Sequence, residues 1–346
     1  MMTEKKSTDV NQLGEFGLID HLTSGFHIRQ PNTIKGVGDD AAVLRTTSDE
    51  AILLTTDMLV EGIHFDVVYT PLKYLGYKSM VVNFSDIYAM NGKPSQVLVS
   101  FAISSKYSVE AMEELYEGIK EACEHYQVDL IGGDTTSSPR GMVLSITAIG
   151  KAKPDKVVYR SGAKPGDIIC VTGDLGAAYL GLQLLEREKE IFLNEPGIQP
   201  DFSSRQYLIK RQLRPEARAD AITYFEQSRF LPTSMIDISD GLASELFHIC
   251  KQSGTGAFIE ESKVPIHPES EEQALEFHMN PITCALNGGE DYELLFTIDP
   301  SDLEKVRYMP DVFLLGDITD PEDGIHLHTT GGKLVPLEAQ GWQHFT

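Results

Sequence analysis

The sequence predicts an α/β chain of α+β layers in two domains, residues 1–150 and 151–346. Three observations predict it. Strand-like apolar runs alternate with helical periodicities through both halves, the pattern of layered α/β proteins. The character of the chain changes near residue 151, where a turn-rich connector, "RSGAKPGD" (160–167), leads into a fresh strand–turn–helix start, "IICVTGDLG". With 346 residues, 41% apolar and 23% charged, the chain can also form two domains of ordinary size with a real core.

The elements follow in order. Residues 13–24 read as a short helix, before the glycine turn of "KGVGDDAAVL" (35–44). "AAVL" and "AILLTTD" read as strands ending in polar residues. "PLKYLGYKSMVVNFSDIYAMNGKP" reads as a helix stopped by Asn91-Gly92 and Pro94. "QVLVSFAI" is a strand. From Ser108 onward Val109, Met112, Tyr116, Ile119, Cys123 and Tyr126 recur at steps of three and four, which predicts a helix. "VDLIGGD" and "MVLSITAIG" are strands. In the second half the pattern predicts helices near 175–187, 215–228 and 240–252, and strands near 257–260, 292–298 and 312–318. Residues 188–204 are the least regular and are expected to form a surface loop.

The formal net charge is −23, from 29 basic and 52 acidic side chains. That balance argues against a nucleic-acid partner, which needs clustered Lys and Arg, and against an anionic membrane surface. The N-terminal "MMTEKKSTDV" has no apolar stretch behind it, so no signal peptide is expected. No segment approaches the ~18 uninterrupted apolar residues of a membrane span. Cys123, Cys170, Cys250 and Cys284 are far apart, which predicts reduced thiols and a cytoplasmic compartment.

The acidic residues carry the chemistry. Asp39 and Asp40 are adjacent in a glycine turn; Asp57 ends a strand; Asp86 lies one helical step from Asn83. Asp134 follows a glycine pair, Asp237 and Asp240 flank Ser239, and Glu290-Asp291 follow another glycine pair. Singly, each has an ordinary explanation: Asp240 suits a helix N-cap, and Asp in a glycine turn bonds its own backbone. Two adjacent aspartates in one turn are harder to explain, because a turn needs one and two repel. If several converge, each pair of unit charges 4 Å apart costs roughly 4 kcal/mol at an effective dielectric of 20. Cations must then intervene. Carboxylates without a Cys–His set select hard ions, and magnesium is held by one or two carboxylates plus substrate phosphates. The double aspartate is therefore expected to hold a cation, and the cation a phosphate; two or more ions can clamp an in-line displacement.

Other architectures are set aside. "GVGDDA" matches a dinucleotide fingerprint only formally, since both intervening residues are Asp and a strand follows where a helix is needed. There is no P-loop, no protein-kinase H-R-D or D-F-G set, no EF-hand spacing, no G-x-S-x-G and no H-E-x-x-H.

The segments "GEFGLI", "GVGDDAAVL", "TTDMLVEGIHF", "KSMVVNFSDIYAM", "LIGGDTT", "RSGAKPGD", "YLIKRQLRP", "IDISDGL", "GGEDYELLF" and "GWQHF" run in order from residue 14 to 345. In this the chain resembles the thiamine-monophosphate kinases, of the superfamily that includes aminoimidazole-ribonucleotide synthetase. The resemblance implies an aminoimidazole-ribonucleotide synthetase-like fold, with an N-terminal mixed sheet pairing across a homodimer and a C-terminal α/β domain. It implies ATP-dependent phosphorylation of thiamine monophosphate to thiamine diphosphate, with several Mg²⁺ ions. By motif, Asp40, Thr55, Thr56, Asp57, Asp86, Asp134, Asp237 and Asp240 would be the magnesium set. Gly133, Asp134, Arg160 and Ser239 would contact ATP, and His64, Glu290 and Trp342 the thiamine moiety.

A phosphate oxygen is already ionised near neutral pH, its second pKa being about 6. In-line attack on the γ-phosphorus then needs no general base, and no catalytic side chain is expected beyond the metal set. The rivals are another ATP-dependent enzyme of the superfamily, a metal-dependent phosphohydrolase and a non-catalytic ion or nucleotide sensor. A selenophosphate synthetase would carry a reactive Cys near the N-terminus, whereas the first here is Cys123.

Overall fold

The computed structural model describes residues 13–195, 202 and 205–338. The first half places α1 (Gly14–Thr23), β1 (Thr33–Lys35), β2 (Ala42–Arg45), β3 (Ala51–Val60), α2 (Leu72–Ala89), β4 (Lys93–Ile103), α3 (Val109–Tyr126), β5 (Asp129–Ser137) and β6 (Val143–Ala152). Its sheet runs β1-β2-β3-β6-β4-β5 and is mixed, because β4 and β5 are parallel while the other neighbours are antiparallel.

The second half holds β7 (Ile168–Thr172), α4 (Ala177–Asn194), α5 (Gln206–Leu213), α6 (Ala219–Ser228), β8 (Ser234–Asp237), α7 (Leu242–Ser253) and β9 (Gly256–Glu260). It continues through α8 (Pro268–Glu276), α9 (Pro281–Asn287), β10 (Leu294–Ile298), α10 (Leu303–Val306), β11 (Val312–Thr319), β12 (Ile325–His328) and β13 (Leu334–Pro336). The sheet order is β13-β12-β9-β11-β7-β10-β8.

Helix α2 positions the site. Its burial extends around most of its circumference, the mark of a helix enclosed on all sides. One side lies on the first sheet, another on α3, and the rest faces β8 and α5 of the second half. Contact with α3 is backbone-close: a Cβ on Gly76 would stand 2.0 Å from the Leu115 carbonyl oxygen. Ser108 caps α3 by accepting from the Ala111 N–H at 3.3 Å, and Gln127 ends it in the left-handed region. One core runs from Leu53, Val97 and Ile146 of the first sheet through Met80, Phe84 and Ile119 to Phe225, Met235 and Phe296. Buried polar residues Lys78, Ser79, Asn83 and Ser85 interrupt α2, and each has a hydrogen-bond partner.

Several sequence expectations change. Asp57 does not end its strand: β3 continues to Val60, and Asp57 pairs with Ile146 of β6. Residues 188–194 are not loop but the end of α4, although the buried residues of that helix stop at Leu185. Asp240 does not cap α7; Gly241 holds the N-cap position at φ 119°, beyond ordinary reach of an L side chain. Helices α5, α8, α9 and α10 and strands β1, β8, β12 and β13 were not anticipated.

Candidate active site

Three carboxylates meet where the two halves join. Asp40 follows the glycine turn before β2, Asp86 comes from α2, and Asp237 ends β8; each offers an oxygen within 4.8 Å of the other two. The alternation of β3 puts Thr55 and Asp57 on the face toward α2, where Thr55 Oγ1 donates to Asp86 Oδ2 at 2.5 Å. Asp57 stands close enough to Asp86 for the two carboxylates to perturb each other. Ser85 Oγ donates to Asp237 Oδ2 at 2.6 Å. The Arg160 guanidinium grips Asp40 Oδ1 through Nε at 3.0 Å and Nη2 at 2.6 Å, while its backbone N–H donates to Asp39 Oδ1 at 3.1 Å. Lys35 stands 3.3 Å from the other Asp39 oxygen. The two aspartates of the opening turn thus divide the work: Asp39 anchors backbone, and Asp40 enters the cluster.

The electrostatics are unfavourable without a cation. Burial, opposed by Arg160 and reinforced by Asp237, pushes Asp40 up to about 7. Burial raises Asp57 and Asp237 to about 6. Burial, with Asp57, Asp237 and Asp40 adding repulsion, drives Asp86 well above the carboxylate range. Asp40 Oδ2 and Asp57 Oδ2 are buried with no hydrogen-bond partner. Oxygen-only donors, two of them orphaned, fit a hard divalent ion, so the residues present suit magnesium.

The other expected residues are placed differently. The Thr56 side chain is on the opposite, exposed face of β3, with Oγ1 donating to the Ile146 carbonyl at 2.9 Å. Gly133 and Asp134 lie on the exposed strand β5, lining an open groove of about 400 Å³ with Tyr116 and Val99. Gly133 is obligatory there, because a Cβ would stand 1.7 Å from the Val99 carbonyl oxygen. Ser239 and Asp240 form the turn between β8 and α7. His64 follows β3, its Nδ1 accepting the Val60 N–H at 3.1 Å. Glu290 sits in the turn before β10, its N–H donating to the Ser239 carbonyl at 2.7 Å. That bond ties the expected acceptor side to the expected nucleotide side. Trp342 lies outside the described residues.

Glu245 was missed. It is buried on α7, and Oε1 accepts the Asp240 N–H at 2.9 Å, holding the turn that a side-chain cap would otherwise hold. Its only sequence signal was a glutamate five residues beyond Asp240. Tyr116 was noted only as an apolar helix position and now lines the β5 groove.

A mixed sheet with aspartates gathered at the joint of two α/β layers defines the class. Residues 38–152 match the family described as AIR synthase related protein, N-terminal domain. The thiamine-monophosphate kinase of Bacillus subtilis is 34% identical over 96% of this chain and 100% of its own length. That of Aquifex aeolicus is 37% identical over 97% and 99%. A solved structure of AaThiL complexed with AMPPCP and TMP superposes with a TM-score of 0.83 at 34% identity, covering 98% of this chain and 100% of that one. The chain belongs to the thiamine-monophosphate kinase family.

Proposed function

We propose that this chain transfers the γ-phosphoryl group of ATP to the phosphate of thiamine monophosphate, giving thiamine diphosphate and ADP. The observation that carries the reading is the convergence of Asp40, Asp86 and Asp237 from three elements within 4.8 Å, in a chain of this family. Asp40, Asp57, Asp86 and Asp237 would hold magnesium, with Thr55, Asp134 and Asp240 as further members of the set, whereas the Thr56 side chain, expected among them, faces away from this cluster. Bound there, magnesium supplies the positive charge that lets two phosphorylated anions approach.

The chain's own residues do the rest. Arg160 keeps the Asp40 carboxylate aimed inward and, with Gly133, Asp134 and Ser239, contacts the nucleotide. His64 and Glu290 receive the thiamine moiety, with Trp342 in the same role. The acceptor phosphate is ionised at neutral pH, so these groups orient the reactants and no side chain need remove a proton.

The division into residues 1–150 and 151–346 belongs to the same proposal, supported by the first sheet ending at Ala152 and the second starting at Ile168. So does a homodimer. The first sheet exposes Leu54 and Met58 on one face of β3 and Leu130 and Ile131 on the edge strand β5, apolar surface that a monomer ordinarily covers. Sedimentation at the mass of a single 38.3 kDa chain would reject the dimer. Among the described residues no helix is long and apolar enough to cross a membrane, and a cytoplasmic location is part of the proposal.

The enzymatic test is incubation with ATP, Mg²⁺ and thiamine monophosphate, followed by chromatography of the thiamine species. Thiamine diphosphate should accumulate mole for mole with ADP. Release of inorganic phosphate without thiamine diphosphate would reassign the chain as a phosphohydrolase.

A further inference from the structure

The segment "GGEDYELLF" supplies three acidic side chains with three different fates. The Asp291 carboxylate is fully enclosed and accepts the Gly176 N–H at 2.8 Å, at the start of α4. Glu293 is 3% exposed and is claimed by Arg211 and Arg218. Glu290 alone stays partly open, at 29%. Its backbone is nonetheless held at φ 57°, a left-handed conformation that a non-glycine residue adopts at a cost.

Both Glu290 oxygens are gripped from behind. Lys78 on α2, 6% exposed, places Nζ 3.0 Å from Oε1 and donates to the Gln212 backbone carbonyl at 2.9 Å. Gln212 at the end of α5 donates Nε2 to Glu290 Oε2 at 2.7 Å. That orientation leaves Gln212 Oε1 buried without a partner, a cost a packing residue would avoid. The reverse orientation would set an amide oxygen against a carboxylate. Each Glu290 oxygen keeps a second lone pair for N–H donors from a ligand.

We infer that Lys78 and Gln212 are positioning residues that fix the Glu290 carboxylate for the acceptor substrate. The inference rests on the reading above, in which Glu290 contacts the thiamine moiety. Lys78 comes from the first-sheet layer and Gln212 and Glu290 from the second, so packing of the two halves against each other sets the acceptor contact. A purely structural tie between the halves would use the same bonds, and kinetics separate the two.

The test measures kcat, both KM values and the thermal midpoint for the full chain carrying Lys78→Met, Lys78→Arg, Gln212→Met or Glu290→Gln. Lys78→Met and Gln212→Met should raise KM for thiamine monophosphate on the order of ten- to a hundred-fold. KM for ATP and kcat should stay within about three-fold, and Lys78→Arg should recover most of the loss. If Lys78→Met does not fold, Gln212→Met decides alone. Unchanged acceptor KM in the folded Lys78 and Gln212 variants, with Glu290→Gln impaired, overturns the positioning role only. A Glu290→Gln enzyme with unchanged acceptor KM overturns the underlying contact, and this inference with it. Equal rises in both KM values that track a lowered midpoint would mark a structural tie and overturn the inference as well.

Discussion

Asp86→Asn should lose turnover on the order of 10²–10³-fold or more while the metal-free protein is at least as stable as the parent. The two effects have one cause. Asp86 is a half-buried carboxylate that accepts from Thr55 and faces Asp40 and Asp237 within 4.8 Å. Desolvation and three like-charged neighbours raise its pKa, so its anion is disfavoured in the folded chain when no cation is present. Asparagine keeps the shape and removes the charge, which relieves the repulsion and abolishes a metal ligand. Asp57→Asn should behave in the same direction, since Asp57 carries an orphaned buried oxygen. A group that weakens its own fold is the expected mark of a site selected for activity. Steady-state rates and unfolding midpoints in chelator check both halves of the claim. Near-parental turnover in either variant would contradict it.

Glu293→Ala should destabilise the protein by about 3–5 kcal/mol, the range for leaving a buried charge without its partner. Its carboxylate accepts from Arg211 at 2.9 Å, Arg218 at 2.7 Å and Thr172 at 2.7 Å. Gly173 leaves the room it occupies, since a Cβ there would come 2.2 Å from Oε1. Without Glu293, Arg211 keeps the Asp174 carbonyl and a 3.6 Å approach to Asp291, and Arg218 keeps the exposed Asp220. The unfolding midpoint should fall by roughly 5–10 °C. Glu290→Gln, three residues away, should lower it less, because Lys78 keeps the Gln212 carbonyl and Glu290 is itself partly open to solvent. Equal losses from the two would erase the division between scaffold and site drawn along this segment.

Much of this was legible in the sequence, and the gaps have physical reasons. Helix α3 announced itself by spacing, although its buried line runs through Leu115, Gly118, Ile119 and Ala122 while Val109 is 71% exposed. Asp86 was legible because a polar pair interrupts an apolar helix. The role of its neighbour was not: Asn83 accepts the Asp57 N–H at 3.2 Å and donates to the Ser79 carbonyl at 3.1 Å, bracing β3 on α2. Strand β8 is four residues buried on every side, too short for any periodicity to declare itself. Helix α5 buries only Leu208, Gln212 and Leu213, so its pattern was equally faint. The cap assigned to Asp240 failed because Glu245, in the first turn of α7, already holds that turn. Lys78 gave no signal, because a lysine in a helix reads as solvated until a second domain covers it.

The central claim is that the buried carboxylates are gathered to hold divalent ions, and protons compete with those ions. Asp40, Asp57 and Asp237 have folded-state values of about 7, 6 and 6, raised from 3.8. A raised carboxylate favours the folded chain below its unfolded value, and that contribution is lost as pH climbs through the folded value. The metal-free chain should therefore lose this contribution between about pH 4 and 7, where the ligands become available to Mg²⁺. The decisive measurement is the shift in unfolding midpoint on adding Mg²⁺ between pH 5 and 8, for the parent chain and Asp86→Asn. The account predicts a shift that is large at pH 8, shrinks through pH 7 to 6, and is largely absent in the variant. A shift of the same size at pH 5 and 8, or one that survives the loss of Asp86, would contradict it.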